Sequence, residues 1–336
     1  MIQTIEANLH TDWQKELSLA VSEPKKLLEM LNIDSNMYLE DAEARSLFAM
    51  RVPLPFIAKM EKGNFHDPLL QQVLPLRQEF VQKVGYSSDP LKEQKNEVPG
   101  LLHKYASRVL IIFRTGCAVN CRYCFRRHFP YQDNHLNKRA MREPLNYIAA
   151  HPKINEVILS GGDPLMANDE QLSWFISELE KISSVTRLRI HTRLPVVIPN
   201  RVTEQLCQRL KSTRLKTVLV THINHANEID LALKHKLMLL KQANVTLLNQ
   251  AVLLKGINNS LDSQVQLSEA LFDAGILPYY LHLLDKVEGA SHFEITDEQA
   301  KQLMRDLLTQ LPGFLVPKLV REVGGEKSKT PIDLGC

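Results

Sequence analysis

The 336-residue sequence has little glycine and proline, no long apolar run and almost no excess of either charge. Its 13 Gly and 17 Pro are too few for a collagen-like or low-complexity chain. No stretch approaches the ~18 consecutive apolar residues that a membrane span needs. The N-terminus carries acidic and polar residues where a secretory signal would be apolar. We therefore expect a soluble, cytoplasmic protein with no membrane partner.

The charge balance argues against a protein that coats nucleic acid. Lys and Arg total 41 and Asp and Glu total 38, a net charge of +3. Nucleic-acid-binding proteins normally carry a larger and more clustered basic excess. We expect no direct nucleic-acid partner.

The five cysteines are unevenly distributed, because three of them lie within eight residues. They are Cys117, Cys121, Cys124, Cys207 and Cys336. A secreted disulfide framework usually has an even number with wider spacing. In a reducing compartment, such a cluster more often binds metal or performs redox chemistry.

Three regions are predicted along the chain: a helical region over 1–100, a barrel over 101–316 and a C-terminal segment over 317–336. Apolar runs rich in β-branched residues predict six buried parallel strands; they lie at 109–113, 156–159, 188–191, 217–220, 245–248 and 277–281. Helical patterns alternate with these runs, two of them beginning at the N-cap candidates Asn168 and Thr296. The alternation predicts an α/β fold, a partial (β/α)6 barrel.

Unusual polar residues follow each predicted strand. They are Cys117, the segment 160–163, Arg193, the segment 222–225, Gln250, and His282 with Asp285. Because active sites of α/β barrels lie at the carboxyl ends of the strands, we expect these residues to share one site.

The CxxxCxxC spacing of Cys117, Cys121 and Cys124 predicts a [4Fe–4S] cluster with one open iron. An electron-transfer ferredoxin would supply a fourth cysteine, whereas Cys207 and Cys336 lie far away in the sequence. A zinc site is the alternative, and it would need a fourth ligand such as His128 or His103.

This loop after a first barrel strand resembles the radical S-adenosylmethionine (SAM) superfamily, in which the open iron chelates SAM. Residues 160–164 (SGGDP) are similar to the superfamily's glycine-rich segment that holds the methionyl amine. The resemblance implies that Gly161, Gly162 and Asp163 bind SAM.

From about residue 65 onward, the chain resembles the lysine 2,3-aminomutase family. The matching segments are 67–75, 124–128, 191–195, 222–225, 278–280 and 324–331. The resemblance implies an isomerase that uses a [4Fe–4S] cluster, SAM and pyridoxal phosphate (PLP). Such an enzyme converts (S)-α-lysine to (R)-β-lysine by radical 1,2-amino migration.

The same resemblance implies roles for individual residues. Lys329 matches the lysine that carries PLP as a Schiff base, for which a primary amine is required; Lys327 is the competing assignment. Arg126 matches the arginine that pairs with the substrate carboxylate, and Asp285 matches a carboxylate that holds the distal ammonium of lysine. Further PLP or SAM contacts are assigned to Arg108, His222, Asn224 and Gln250.

The chain departs from the family at His282, where a tyrosine is usual, and at Glu322, where an aspartate is usual. In its shorter ends it is most similar to the branch that supplies (R)-β-lysine for attachment to elongation factor P. That branch implies elongation factor P and its lysyl ligase as partners, beside an electron donor, and we expect a homo-oligomer. An arginine or glutamate aminomutase, an RNA-modifying radical SAM enzyme and an iron–sulfur electron carrier are the alternatives.

Overall fold

The computed structural model describes residues 12–46, 49–93, 98–129 and 138–335. Cys336 lies outside these ranges. None of the helices in the described ranges is long and apolar enough to cross a membrane.

One nine-stranded sheet forms the centre of the fold, with its strands in sequence order. The strands are β1 (Leu101–Tyr105), β2 (Arg108–Arg114), β3 (Glu156–Gly161), β4 (Arg187–Thr192), β5 (Lys216–Thr221), β6 (Thr246–Val252), β7 (Leu277–His282), β8 (Lys318–Arg321) and β9 (Thr330–Pro331). Strands β2 to β8 are parallel to their neighbours, whereas β1 and β9 pair antiparallel at the two edges.

Helices connect the parallel strands, as right-handed βαβ units require. The helices of the described chain are α1 (Trp13–Ser18), α2 (Pro24–Met30), α3 (Leu54–Ile57), α4 (Arg142–Ala150), α5 (Asp169–Glu180), α6 (Leu194–Val197), α7 (Glu204–Ser212), α8 (Leu231–Gln242), α9 (Leu261–Asp273) and α10 (Asp297–Gln310). Helices α4 to α10 lie in the connections between β2 and β8, so the carboxyl ends of those strands share one end of the barrel.

The predicted α/β barrel is confirmed, with all six predicted strands present as β2 to β7. All six residues of β3 are buried, because this strand is covered on both faces. The structure adds a seventh parallel strand, β8, and two short edge strands that the sequence patterns did not predict. Both β8 and β9 come from the C-terminal segment, which therefore extends the barrel sheet.

The helix starts follow the predicted capping chemistry. The Asn168 side chain accepts a hydrogen bond from the backbone N–H of Gln171 at 2.9 Å, and the apolar face of α5 is buried. A reciprocal capping box joins Thr296 and Gln299 at the start of α10. These caps fix the residues at which α5 and α10 begin.

The N-terminal region packs on the barrel through a shared hydrophobic core. Trp13, Phe56 and Leu74 belong to the same cluster of buried residues as Leu159 and Leu319 of the sheet. A 3-10 segment over Ser35–Ser46 and two shorter ones, Leu70–Gln72 and Arg77–Phe80, complete this region. The division of the chain into three regions stays a prediction.

Candidate active site

A cavity of about 340 Å³ lies inside the barrel and reaches the carboxyl ends of its strands. Of the residues predicted for the site, those that line it are Arg108, Cys117, Cys121, Cys124, Arg126, Gly161, Gly162, Asp163, His222, Gln250, Asp285 and Lys329. Asn224 alone of the predicted set does not line it. The fold therefore brings nearly all of the sequence-predicted residues to one cavity, from strands β2 and β6, from the ends and connections of β2, β3, β5 and β7, and from the C-terminal segment.

The three clustered cysteines follow β2 on one short loop. All three are half-buried free thiols, and the Cys124 N–H donates to the Cys121 carbonyl at 3.0 Å to form a tight turn. Burial raises the pKa of the Cys117 thiol well above its usual value. It also raises the pKa of the Cys124 thiol, to about 11. Ionised thiolates in this loop thus need positive charge beside them, which bound iron supplies.

The donor set fits a four-iron cluster better than a single metal ion. Within the described ranges, no three His, Cys, Asp or Glu side chains are arranged to hold one metal ion. Cys207 lies on α7 and does not line the cavity. Neither zinc candidate reaches the cavity: His128 is exposed, and His103 contacts the Tyr147 hydroxyl at 2.9 Å. Three thiols facing one cavity are the ligand set expected for a cluster with an open iron.

A buried arginine lies directly against this loop. Arg193, just after β4, donates from Nη1 to the Cys121 sulfur at 2.7 Å and to the Tyr123 hydroxyl at 2.7 Å. Its Nη2 donates to Glu228 at 2.9 Å and to Gln72 at 2.7 Å. The guanidinium is thus fixed between a carboxylate and a cluster thiol.

Asn224 lies beneath the cavity wall. Its amide nitrogen donates to the Tyr123 hydroxyl at 2.7 Å and to Gln72 at 3.0 Å, while its amide oxygen accepts from the Val252 N–H at 2.9 Å. The side chain is fully buried, so its place is that of a residue that holds the wall. The neighbouring His222 does line the cavity, and burial, with Arg193 nearby, lowers its pKa to about 3, which keeps the imidazole neutral.

The glycine-rich segment follows β3, and its two glycines are required by close packing. Gly161 has φ +112°, and a Cβ there would meet the Arg114 carbonyl oxygen at 2.5 Å. A Cβ on Gly162 would meet the Gly116 carbonyl oxygen at 2.5 Å. Only glycine lets this backbone pass the loop after β2, and the Gly162 N–H donates to the Arg114 carbonyl at 2.7 Å across the contact.

The Asp163 carboxylate is engaged within the protein. One oxygen accepts from the Leu165 N–H at 3.0 Å and the Thr192 hydroxyl at 2.6 Å. The other accepts from the N–H groups of Arg193 and Leu194 at 2.7 and 2.8 Å. Asp163 thereby ties the glycine segment to the end of β4.

Arg126 lies in the cavity wall on the same loop as the cysteines, two residues after Cys124. Its Nε and Nη2 atoms donate to the two carboxylate oxygens of Glu93 at 2.8 and 3.2 Å. Its Nη1 donates to the Ser160 hydroxyl at 3.0 Å and to the Gly161 carbonyl at 3.3 Å. The guanidinium is buried and is held on both sides.

Lys329 enters the cavity from the C-terminal segment and forms an ion pair with Glu322. The second carboxylate oxygen of Glu322 accepts from Lys104 at 3.0 Å. Burial alone would raise the pKa of Glu322, but the positive charges of Lys329 and Lys104 lower it to about 2. Lys327 is exposed and lies outside the cavity lining, so only Lys329 of the two candidates reaches the site.

Asp285 is a half-buried residue of the same cavity, and its Oδ1 atom is buried. Its Oδ1 has no hydrogen-bond partner among the described residues, and neither does Nε2 of His282. Burial raises the pKa of Asp285 to about 7 and lowers that of His282 to about 3. Burying an unpartnered polar group is costly, so such an oxygen is typical of a site that a ligand completes.

Two further predicted residues, Arg108 and Gln250, also line the cavity. The Arg108 guanidinium lies 3.8 Å from the centre of the Tyr105 ring. The Gln250 amide nitrogen lies 3.4 Å from Nδ1 of His191. Both residues line the same cavity as Lys329 and the glycine segment.

Sequence reasoning missed several residues of the site. Glu93 lies in a polar turn before the barrel, whereas Gln72 and Glu228 each end a three-residue 3-10 segment, which is too short for a periodic sequence pattern. Their roles depend on contacts with residues 33 to 156 positions away. Of these three residues, only Glu228 had a signal in the sequence, because it is a charged residue in the connection that follows a predicted strand.

Comparison with known proteins agrees with this geometry. The model of the radical SAM superfamily matches residues 111–258. The L-lysine 2,3-aminomutase of Escherichia coli (strain K12) is 54% identical over 334 residues, which are 99% of this chain and 98% of that protein. The chain belongs to the lysine 2,3-aminomutase family.

Other members of the lysine 2,3-aminomutase family show the same relationship. The L-lysine 2,3-aminomutase of Haemophilus influenzae is 56% identical over 320 residues, 95% of each chain. That of Acetoanaerobium sticklandii is 32% identical over 325 residues, 96% of this chain and 78% of that protein. The resemblance stated from the sequence is confirmed.

Family membership also establishes the class of chemistry. The protein is an isomerase of the aminomutase type within the radical SAM superfamily. Its cofactors are a [4Fe–4S] cluster, SAM and PLP. The thiol loop, the glycine segment and the cavity lysine are side chains and backbone of the kinds that these three groups require.

Proposed function

We propose that the protein converts (S)-α-lysine to (R)-β-lysine. The observation that carries this proposal is the buried Oδ1 of Asp285, which has no hydrogen-bond partner among the described residues and shares one cavity with Arg126 and Lys329. A site with both a guanidinium and a carboxylate selects a ligand whose own carboxylate and ammonium are the matching distance apart. Lysine has both groups.

We assign the roles as follows. Arg126 binds the substrate carboxylate through a planar, two-point contact. Asp285 accepts the distal ammonium, and Lys329 holds PLP and releases it to the substrate amine. Neutral His222 and His282 line the cavity without adding charge to either end.

The cluster and SAM would be held by the cysteine loop and the glycine segment, whereas PLP would be held by Lys329. We assign the SAM amino group to the backbone of Gly161 and Gly162, with Asp163 holding that backbone in place. When bound, the three groups supply a radical that removes a substrate hydrogen and a π-system through which the amine migrates. The protein orients these groups and keeps water away from them.

Charge decides substrate choice in this cavity. Glutamate would place a second carboxylate beside Asp285, and two uncompensated like charges in a buried site are strongly unfavourable. Arginine has the correct charge but a longer, planar head. We therefore expect lysine to be preferred over arginine, and arginine over glutamate.

We assign the wider role to translation. The chain is 54% and 56% identical to the E. coli and H. influenzae proteins but 32% identical to the A. sticklandii protein, which supports a separate branch of the family. In that branch the product is attached to elongation factor P by its lysyl ligase. An electron donor must reduce the cluster, and we propose a homo-oligomer in solution.

The test is turnover by protein purified without oxygen and loaded with iron, sulfide, PLP and SAM. After chemical reduction, lysine, arginine and glutamate are supplied separately and the products resolved by chiral chromatography. We expect (R)-β-lysine from lysine and much slower reaction of the other two. Faster turnover of glutamate or arginine than of lysine would overturn the proposal.

A further inference from the structure

In the substrate-free protein, the Arg126 fork already holds a carboxylate. Glu93 spans Nε and Nη2 of Arg126 with both of its oxygens, at 2.8 and 3.2 Å. This two-point geometry is the one that a free amino acid carboxylate would use. We propose that Glu93 occupies the subsite of the substrate carboxylate and is displaced when the substrate binds, an inference that rests on the proposed function.

The surroundings of Arg126 fix which edge of the guanidinium is used. Nη1 is held by the Ser160 hydroxyl and the Gly161 carbonyl at the end of β3. The guanidinium therefore cannot rotate to expose a different pair of N–H groups without breaking those contacts. An incoming carboxylate has to take the edge that Glu93 occupies.

Because the Arg126 guanidinium is buried, it needs a carboxylate of the protein beside it when no substrate is bound. The Arg126 side chain is 6% exposed, and a buried cation without a counter-ion is strongly destabilising. The Glu93 side chain is 20% exposed, so it can return to water when it leaves the fork. The pair thus keeps the empty site neutral and is replaced by an equivalent pair in the complex.

The backbone that carries Glu93 is held by a local turn. The Glu93 N–H donates to the Asp89 carboxylate at 2.9 Å, and the Lys92 N–H donates to the Asp89 carbonyl at 3.3 Å. Lys92 has φ +56°, in the left-handed region, which is unfavourable for a residue with a side chain. The turn therefore fixes the backbone of Glu93 beside Arg126, so that displacement requires only its side chain to move.

This arrangement selects ligands by their carboxylate. A diamine or an amide of lysine cannot replace Glu93 on Arg126, so it gains nothing from that fork. A free α-amino acid exchanges one charge-assisted pair for another. Discrimination arises because the wrong ligand leaves the internal pair in place.

The test compares lysine with lysine amide on PLP-loaded protein, with the change in PLP absorbance as the measure of binding. Glu93→Gln removes the competing charge, so we expect the apparent Kd of lysine to fall about tenfold or more. The Kd of lysine amide should not change, because the amide does not compete for the fork. Glu298→Gln, at an exposed position on α10, is the matched control and should change neither value.

The outcomes separate the two proposals. A higher lysine Kd in Glu93→Gln would show that Glu93 orients Arg126, and an equal or absent change for both ligands would show no competition; each overturns the inference. If that variant fails to load PLP, Glu93→Asp, whose shorter carboxylate weakens the fork, should tighten lysine in the same direction. Loaded wild-type protein that responds to neither ligand would contradict the proposed function instead.

Discussion

Arg193 donates a hydrogen bond to the sulfur of Cys121 at 2.7 Å. The same guanidinium is paired with Glu228, which is fully buried, at 2.9 Å. Strand β4 therefore supplies a fixed cation beside a predicted cluster ligand on the loop after β2. Hydrogen bonds to cluster sulfurs and nearby charge are among the factors that set reduction potential.

Replacing Arg193 with Gln should make the cluster harder to reduce. The cation stabilises the more negative, reduced cluster, so its removal shifts the reduction potential to a more negative value. A redox titration followed by electron paramagnetic resonance measures this shift in reconstituted protein. Arg209→Gln, which breaks a partly exposed pair with Glu180, serves as the control. An unchanged or more positive potential in Arg193→Gln would show that the contact does not tune the cluster.

The cysteine loop alone should bind the cluster. Cys121→Ser should lose most of its iron and the broad visible absorption of the cluster, because no other cysteine lines the cavity in the described chain. Cys207→Ser, on α7, should keep both. Iron and sulfide analysis of protein purified without oxygen measures the difference. Full iron loading of Cys121→Ser would disprove the three-thiolate assignment.

Lys329 should be the PLP attachment site. Borohydride reduction followed by peptide mapping is expected to place the pyridoxyl mass on Lys329, because its amine is in the cavity while Lys327 is exposed. Lys329→Ala should lose the label, and Lys327→Ala should keep it. Label on Lys327 in the wild-type protein would contradict this assignment.

Asp285→Asn should remove the ion pair that we assign to the distal ammonium of lysine. Leaving that charge unpaired in a buried site costs roughly 3–5 kcal/mol, or about 10²- to 10⁴-fold in kcat/KM for lysine. PLP loading should be unchanged, and the melting temperature should rise, because the variant removes a buried carboxylate without a partner for Oδ1. A loss of PLP together with activity would indicate a structural role instead.

The raised pKa of Asp285 also predicts a pH dependence. Burial raises this pKa to about 7, so the carboxyl group gains a proton as the pH falls through that value. Only the ionised form attracts the ammonium of lysine. We expect kcat/KM for lysine to fall about tenfold per pH unit below about 7. A flat profile between pH 6 and 8 would show that Asp285 is ionised throughout.

The parallel strands were predictable because their signal is local. Each of β2 to β7 is a short apolar run that is bounded by turn residues, and the helices between them have clear caps. Strand β8 has only four residues, and β1 includes His103 and Lys104, so neither gives a distinctive pattern. Their pairing with the barrel is a tertiary effect.

The site was predictable where residue type and chain position carry the chemistry. Cysteine spacing, paired glycines after a strand and a lysine in a family motif are all visible in the sequence. The engagement of Glu93 with Arg126 depends on how a distant turn folds across the barrel, which no local pattern encodes. The burial of Asn224 likewise follows from loop packing, and it places that residue behind the cavity wall.

The most direct test of the central claim follows the nitrogen atom through the reaction. The reduced, fully loaded enzyme is supplied with (S)-α-lysine that carries ¹⁵N at the α-amino group, and the product is analysed by NMR and mass spectrometry. Intramolecular amino migration predicts (R)-β-lysine with the ¹⁵N on carbon 3. Label released as ammonium, or lysine consumed without β-lysine appearing, would contradict the assignment of this protein as a lysine 2,3-aminomutase.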